Sequence, residues 1–232
     1  MRIAVLFTAS LLVAGCSGAT GGQARQTQLT PITPSRTATS SSVPTSGTSS
    51  TTATSSAPAP QAGVPIAEAI TWIEAAPPID AAQYHIALRG SVTTELGDDV
   101  AFTTPSGTNC MTDAKHGSPA LACLVELTNP PPRPADTYGQ WKGGWVDFDG
   151  STVQVGSAHG DPGRFAYGQG RELPYDTSLS FGNYRCRTDA TALLCVNYAR
   201  QSAVRLSADG VDAFACARQV TPPAGIGVQY DC

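Results

Sequence analysis

The rhythm of hydrophobic positions divides the chain into three stretches. Ile3 to Val13 is an unbroken apolar run of eleven residues behind Met1-Arg2. A membrane-spanning helix needs about 20 apolar residues, so this run predicts the apolar segment of an export signal. From residue 17 to residue 62 no apolar period is present, helical or extended. A third pattern follows. In Pro65 to Glu74, Ile66, Ile70 and Ile73 recur at helical spacing, Pro65 suits a helix start and Pro77-Pro78 ends it, which predicts one short helix. Beyond it the apolar runs are short and punctuated by turn residues. They are Val100–Phe102 ahead of Pro105-Ser106-Gly107, Leu121–Leu127, Trp145–Val155 broken by Asp149-Gly150, Leu179–Arg187, Leu193–Tyr198, Ala203–Leu206 and Val211–Cys216. Short strands at near-regular spacing predict a mainly β domain, an antiparallel sandwich or barrel with the helix at its N-terminal end. Asp149-Gly150 tolerates the positive φ of a tight hairpin. Asn129–Pro134 reads as an exposed polyproline connection.

Composition sharpens the middle stretch. Twelve of the twenty residues from Ser41 to Pro60 are Ser or Thr, and Arg25 and Arg36 are the only charges between residues 17 and 62. Such a segment buries too little surface to offset its chain entropy, and is expected to be a disordered tether. As a flexible coil its 46 residues have a root-mean-square span of about 35–40 Å, and fully extended they reach about 150 Å. A bare linker and an O-glycosylated stalk are both compatible with this composition. All eighteen acidic residues and eleven of the fourteen basic ones lie beyond the tether, a net charge of −7. That balance excludes nucleic acid as a partner, because phosphate binding needs a basic face. It also gives no attraction to anionic lipid headgroups.

Seven cysteines is an odd number. Leu12-Val13-Ala14-Gly15-Cys16 closes the apolar run with small residues before a cysteine, and resembles the lipobox of bacterial lipoprotein signals. The resemblance implies a lipid on the Cys16 thiol, palmitate among its acyl chains, and cleavage just before Cys16. Two or more acyl chains hold a protein stably at a bilayer where one does not. The expected organisation is therefore a signal peptide over 1–15, a lipidated Ser/Thr/Pro-rich tether over 16–62 and a disulfide-rich β domain over 63–232.

Six cysteines remain, an even set in an exported chain, and these read as disulfides. Fifteen pairings are open. A repetition favours neighbours. Phe102 to Cys110, a turn, then Leu121-Ala122-Cys123-Leu124-Val125 forms one unit; Leu179 to Cys186, a turn, then Leu193-Leu194-Cys195-Val196 forms another. Each looks like a β-hairpin clipped across its arms, an internal duplication of one motif. The expected pairs are Cys110–Cys123, Cys186–Cys195 and Cys216–Cys232. The alternative, a metal site, lacks any Cys-x-x-Cys.

The segments Asp98 to Gly107, Pro130 to Asp136, Trp141 to Gly150 and Cys195 to Ala199, together with the lipobox and tether, resemble the Lpp-type lipoproteins of mycobacteria. More broadly, Phe-Thr-Thr-Pro-Ser-Gly followed by paired cysteines resembles a recurrent exported domain of actinobacteria, in which Pro-Ser-Gly usually precedes Asn-Ile-x-Cys. Here Thr108-Asn109-Cys110 is one residue shorter. The resemblance implies an envelope location at the extracytoplasmic face of the cell membrane, and carries no reaction with it.

Residues of chemical promise are few. His85, His116 and His159 are the only histidines. Ser157, His159 and Asp161 sit within five residues, but a triad needs groups converging from distant segments, and Asp161-Pro162-Gly163 is a turn signal. Asp147, Asp149 and Gly150 fall short of a calcium loop, which needs more ligands and a terminal Glu. No catalytic residue, metal or cofactor is expected. Tyr138, Trp141, Trp145 and Phe148 form an aromatic group, and Tyr138, Trp141 and Trp145 are the candidate binding surface, suited to stacking on a sugar or anchoring a protein; core packing is the alternative. The expected function is a non-enzymatic, lipid-anchored binding module whose partners are the bilayer, through Cys16, and an envelope protein or glycan. A hydrolase using His159 and a lipid-binding carrier are the alternatives.

Overall fold

The structure, a computed structural model, describes residues 57–114, 120–135, 137–158, 163–216 and 218–232. The signal peptide, Cys16, nearly all of the tether, His116, His159 and Asp161 lie outside the described residues. The domain is mainly β with one short helix, as the patterning predicts.

Helix α1 (Ile66–Glu74) has Pro65 at its N-cap and buries Ala69, Trp72 and Ile73. It is followed by a 3₁₀ turn at Ala81–Tyr84 and a small hairpin, β1 (Ile86–Arg89) with β2 (Val92–Glu95). Five strands then form an antiparallel meander: β3 (Ala101–Thr103), β4 (Asn109–Met111), β5 (Leu121–Leu124), β6 (Lys142–Phe148) and β7 (Thr152–Ser157). A second 3₁₀ turn (Gly163–Tyr167) and the short strand β8 (Arg171–Glu172), parallel to β3, lead into a second five-stranded meander. Its strands are β9 (Ser178–Phe181), β10 (Tyr184–Thr188), β11 (Leu193–Asn197), β12 (Ser202–Ser207) and β13 (Gly210–Phe214). The chain then returns to the first sheet, where β14 (Arg218–Val220) and β15 (Ile226–Asp231) extend it beyond β7. The run Leu179–Arg187, expected as one strand, is two strands folded at Gly182-Asn183, with Phe181 opposite Tyr184.

The eight-stranded sheet and the five-stranded sheet share one core, so of the two expected architectures the sandwich is the one formed. Side chains one strand apart in register line up across each sheet. Phe102, Cys110, Cys123, Val146, Val155 and Val228 make one row, and Leu179, Cys186, Cys195, Val204 and Ala213 make the other. Both rows belong to the same buried cluster. The Cys110–Cys123 and Cys186–Cys195 disulfides therefore each join the second and third strands of a five-stranded meander, at matching places. Their Cα separations are both 4.1 Å, close to the 4.5 Å of a non-hydrogen-bonded antiparallel pair. Cys216–Cys232 closes the base of the β14–β15 hairpin, where the chain passes from one sheet to the other. All three expected pairs are formed.

Both sheets are also covered on their outer faces. Helix α1 lies on the five-stranded sheet through Trp72, Ile73, Leu194, Val196, Ala203 and Phe214. The β1–β2 region and the second 3₁₀ turn cover part of the eight-stranded sheet through Ala87, Leu96 and Phe165. The packed chain begins earlier than residue 63: Ala59 is 4% exposed, its amide donates to Asp189 Oδ2 at 2.6 Å, and Trp72 Nε1 donates to the Ala57 carbonyl at 2.7 Å. Ser/Thr content marked the tether, but from Ala57 to Pro60 it is Ala and Pro, small and uncharged enough to pack.

A candidate binding cleft at one end of the sandwich

The three aromatic residues expected to share a surface do not share one. Trp145 does point away from Val146 and Phe148, as strand alternation requires. The face it points to is covered, however, and Trp145 is 1% exposed. Its ring meets Phe165 edge-on at 5.1 Å and its Nε1 donates to Asp147 Oδ2 at 2.8 Å. Trp145 is thus a core residue of an outer layer, and its assignment to a binding surface is corrected. Trp141 is half-buried and lies on glycines: a Cβ at Gly156 would fall 2.7 Å from its ring. Only Tyr138, 97% exposed, is free at the surface.

The polyproline segment is exposed at Asn129, Pro130, Pro132 and Arg133, as expected, and half-buried at Pro131 and Pro134. Pro130 and Pro131 lie on Gly143 and Gly227, where an added Cβ would come within 2.7 and 2.8 Å of them. Beside them, Pro132, Pro134, Pro222 and Pro223 line a shallow groove of about 450 Å³. Its walls are mostly proline, alanine and glycine, and Arg133 is tied to the Thr137 carbonyl at 2.6 Å.

The loops that converge at one end of the sandwich enclose a more polar cleft of about 330 Å³. Both sheets contribute. The eight-stranded sheet supplies Asp98-Asp99 ahead of β3, Thr112 and Ala114 after β4, and Asp149 in the β6–β7 turn; the five-stranded sheet supplies Phe181 to Tyr184, Asn197, Ala199 and Arg200. Hydrogen bonds lock the sheets together here. Tyr184 donates its hydroxyl to the Phe148 carbonyl at 3.0 Å, and Ser202 donates to the Gly150 carbonyl at 2.6 Å. Burial raises the Tyr184 phenol above its ordinary pKa, despite a hydrogen bond with Asn197, so it serves as a neutral donor. Gly150, at φ 89°, is required twice over: a Cβ there would lie 2.5 Å from Asn197 Nδ2.

The polar groups of the cleft are fixed before any ligand arrives. Asp99 Oδ1 accepts from Thr112 Oγ1 and from the Ala114 amide, both at 2.9 Å. Asp149 Oδ1 accepts from the amides of Ser151 and Thr152, both at 2.7 Å, which spends that oxygen on its own turn. Asn197 Oδ1 accepts from the Arg200 amide at 3.1 Å. Phe181, half-buried, forms the apolar wall and stacks on Tyr184 at 5.6 Å with an interplanar angle of 22°. Asp98, Asn183 and Arg200 are exposed at the rim.

Of the described residues weighed for chemistry, Asp149 lines the cleft and Ser157, Asp147 and His85 do not. Ser157 is buried in β7. Asp147 pairs with Arg164 at 3.7 Å and accepts a hydrogen bond from the Trp145 indole N–H. His85 sits 2.9 Å through Nδ1 from the Asp99 carbonyl. Among the described residues, no group of three or more His, Cys, Asp or Glu side chains comes together at the scale of a metal ion. The space between the sheets is filled by Phe102, Phe148, Leu121, Leu179, Leu193 and Leu206. Sequence reasoning missed the cleft because its members are scattered from residue 98 to residue 200; its local signals were Asp149-Gly150, read only as a turn, and Gly182-Asn183, passed over inside the run expected as one strand. Comparison of the chain with family models, with curated proteins and with solved structures finds no match.

Proposed function

We propose that this chain is a membrane-anchored extracytoplasmic lipoprotein whose β sandwich is a non-enzymatic binding module of the cell envelope. Cys16 carries the lipid, the stretch after it is the tether, and the cleft at the end of the sandwich contacts the ligand. The lipobox-like Val13-Ala14-Gly15-Cys16 supports the anchor. The observation that carries the binding reading is the cleft itself: loops of both sheets meet there around a half-buried aromatic ring and polar groups already fixed by hydrogen bonds. Preorganised side chains of this kind favour recognition, since little ordering cost remains on binding. Packing of the core supports this reading over a lipid carrier, which needs an enclosed apolar cavity.

Two measurements in intact bacteria test the two halves. Metabolic labelling with a palmitate analogue should mark the wild-type chain and not Cys16→Ala, and the variant should leave the detergent phase. A photo-crosslinking residue at Asn183 should capture an envelope component that the same residue at Val92, exposed on the β1–β2 hairpin, does not. Equal labelling of both chains overturns the anchor, and identical capture at both positions overturns the cleft.

A further inference from the structure

We infer that the segment Pro130 to Ala135 is a presented polyproline ligand, held ready for a partner protein whose groove is lined by aromatic side chains. The surface shares no residue with the end cleft and stands independently of it. Conformation comes first. Proline fixes φ near about −65°, and a residue before proline is driven to extended backbone. Asn129, Pro130, Pro131 and Arg133 each precede a proline. The run is thereby set as a polyproline II helix, which turns once in about three residues.

Exposure follows that period. Pro131 and Pro134 are half-buried, whereas Pro130 and Arg133, and Pro132 and Ala135, are exposed. One edge of the helix therefore faces the domain and two edges face outward. The helix is seated where Gly143 and Gly227 carry no side chain: an added Cβ would lie 2.7 Å from Pro130 and 2.8 Å from Pro131. Its far end is closed by Arg133, which donates to the Thr137 carbonyl at 2.6 Å, and by the Thr137 amide, which donates to the Pro134 carbonyl at 3.2 Å. A segment already in its bound shape loses little entropy on docking.

The outer edges select the partner. Polyproline helices are recognised by grooves lined with aromatic rings, and Trp and Tyr add an N–H or O–H donor to the ring. Both halves of that contact are offered here. Pro132 presents an exposed ring, and among the described residues nothing donates to the carbonyls of Pro132 and Arg133. Across the groove of about 450 Å³, Pro222 and Pro223 add a second proline wall, so a partner ring enters between two proline surfaces. Arg133 is the one charged side chain lining the groove. Its guanidinium has donors beyond the one given to Thr137, which calls for a carboxylate on the partner. The net −7 of the domain is screened beyond about 8 Å at physiological salt, so the guanidinium sets the sign at the contact.

Photo-crosslinking of the full-length chain in intact bacteria tests this, with the reactive residue at Ala135, beside Pro132 on the groove, and mass spectrometry of the attached molecule. A protein should be captured at or next to a Trp or Tyr, and the same reactive residue at Val92 should not capture it. Arg133→Glu should cut the yield about tenfold and Pro132→Ala about threefold. Both positions are exposed, so the unfolding temperature should stay unchanged in each. The captured protein, once purified, should bind the full chain in nonionic micelles with the same two losses in affinity. Attachment far from any aromatic residue, attachment of a glycan or lipid instead of a protein, a yield that neither substitution lowers, or no capture beyond that at Val92 overturns the inference.

Discussion

The Ala59 amide donates a 2.6 Å hydrogen bond to Asp189 Oδ2, joining the start of the packed chain to the β10–β11 turn 130 residues later. The other oxygen of Asp189 accepts from the Thr191 amide and hydroxyl, both at 2.7 Å, and from the Ala192 amide at 2.9 Å. Burial alone would raise this carboxyl's pKa. The hydrogen bonds from Thr191, Ala192 and Ala59 outweigh it and hold the pKa below the ordinary carboxylate value.

The sign of the pH dependence follows. A carboxyl whose pKa is lower in the folded state contributes stability that is present above the unfolded value, near 4, and is lost as pH falls through the folded value. Asp189→Asn should destabilise the domain by about 1–3 kcal/mol at pH 7. The gap between the wild type and the variant should narrow as pH drops below about 4. Urea unfolding at pH 7 and at pH 3 measures it. A gap that stays constant with pH would mean that Asp189 acts through shape and not through its charge.

Arg187 belongs to the same region and tests how α1 is held. Its guanidinium lies 3.9 Å from the Trp72 ring centroid, donates to the Trp72 carbonyl and pairs with Asp176 at 3.2 Å. The side chain is 5% exposed, so the charge depends on these partners. Arg187→Met should cost about 2–4 kcal/mol, and Arg187→Lys most of that, because a point ammonium cannot stack and bond at once. Hydrogen exchange should show protection lost first in Ile66–Glu74, with the β11 and β12 amides retained. Uniform loss across the sheets would contradict a local role for the pair.

The matching positions of Cys110–Cys123 and Cys186–Cys195 make a quantitative claim about the duplicated motif. The closed loops are short, with sequence separations of 13 and 9. Chain-entropy reasoning assigns each about 3 kcal/mol. Replacing either pair by Ala should therefore lower stability by similar amounts, with a further cost for the vacated core volume. Cys216–Cys232, at a separation of 16, has a comparable entropic share. Cys232 is exposed, though, so its replacement should cost less. Thermal unfolding of the three double variants ranks them; a Cys216/Cys232 variant as damaged as the other two would place that end of the chain in the core.

What the chain declares locally was legible. Helix α1, the Asp149-Gly150 hairpin and the three disulfides rest on residues within about twenty positions of each other, where spacing and turn chemistry decide. What depends on distant coverage was not. Trp145 alternates correctly, yet whether its side of the sheet meets water is decided by Phe165, twenty residues on and in a turn with no periodic signal. Strands β14 and β15 were missed because their positions are all exposed or half-buried, so the two-residue alternation of a buried strand never develops. The cleft was missed for a related reason: Asp99, Phe181 and Asn197 become neighbours only when two sheets stack.

Glycine supplies the last case, because Gly143, Gly156 and Gly227 were unremarkable as sequence and decisive as surface. They lie on the adjacent strands β6, β7 and β15. With no Cβ on these strands, Pro130, Pro131 and the Trp141 ring settle directly onto the sheet. At Gly227 a methyl group would fall 2.8 Å from Pro131 Cβ, 2.9 Å from the Val155 carbonyl oxygen and 3.2 Å from the Trp141 ring. The backbone oxygen cannot move aside as a side chain can. Gly227→Ala should thus lift the proline segment and Trp141 together, costing about 1–3 kcal/mol. Trp141 fluorescence should shift to the red as its ring enters water, while Trp145, in the adjacent packed layer, should hold its emission. Trp141→Phe in the Gly227→Ala background separates the two signals. A red shift that survives this replacement would mean that the core around Trp145 has opened, and that the glycines support the whole sheet and not only its cover.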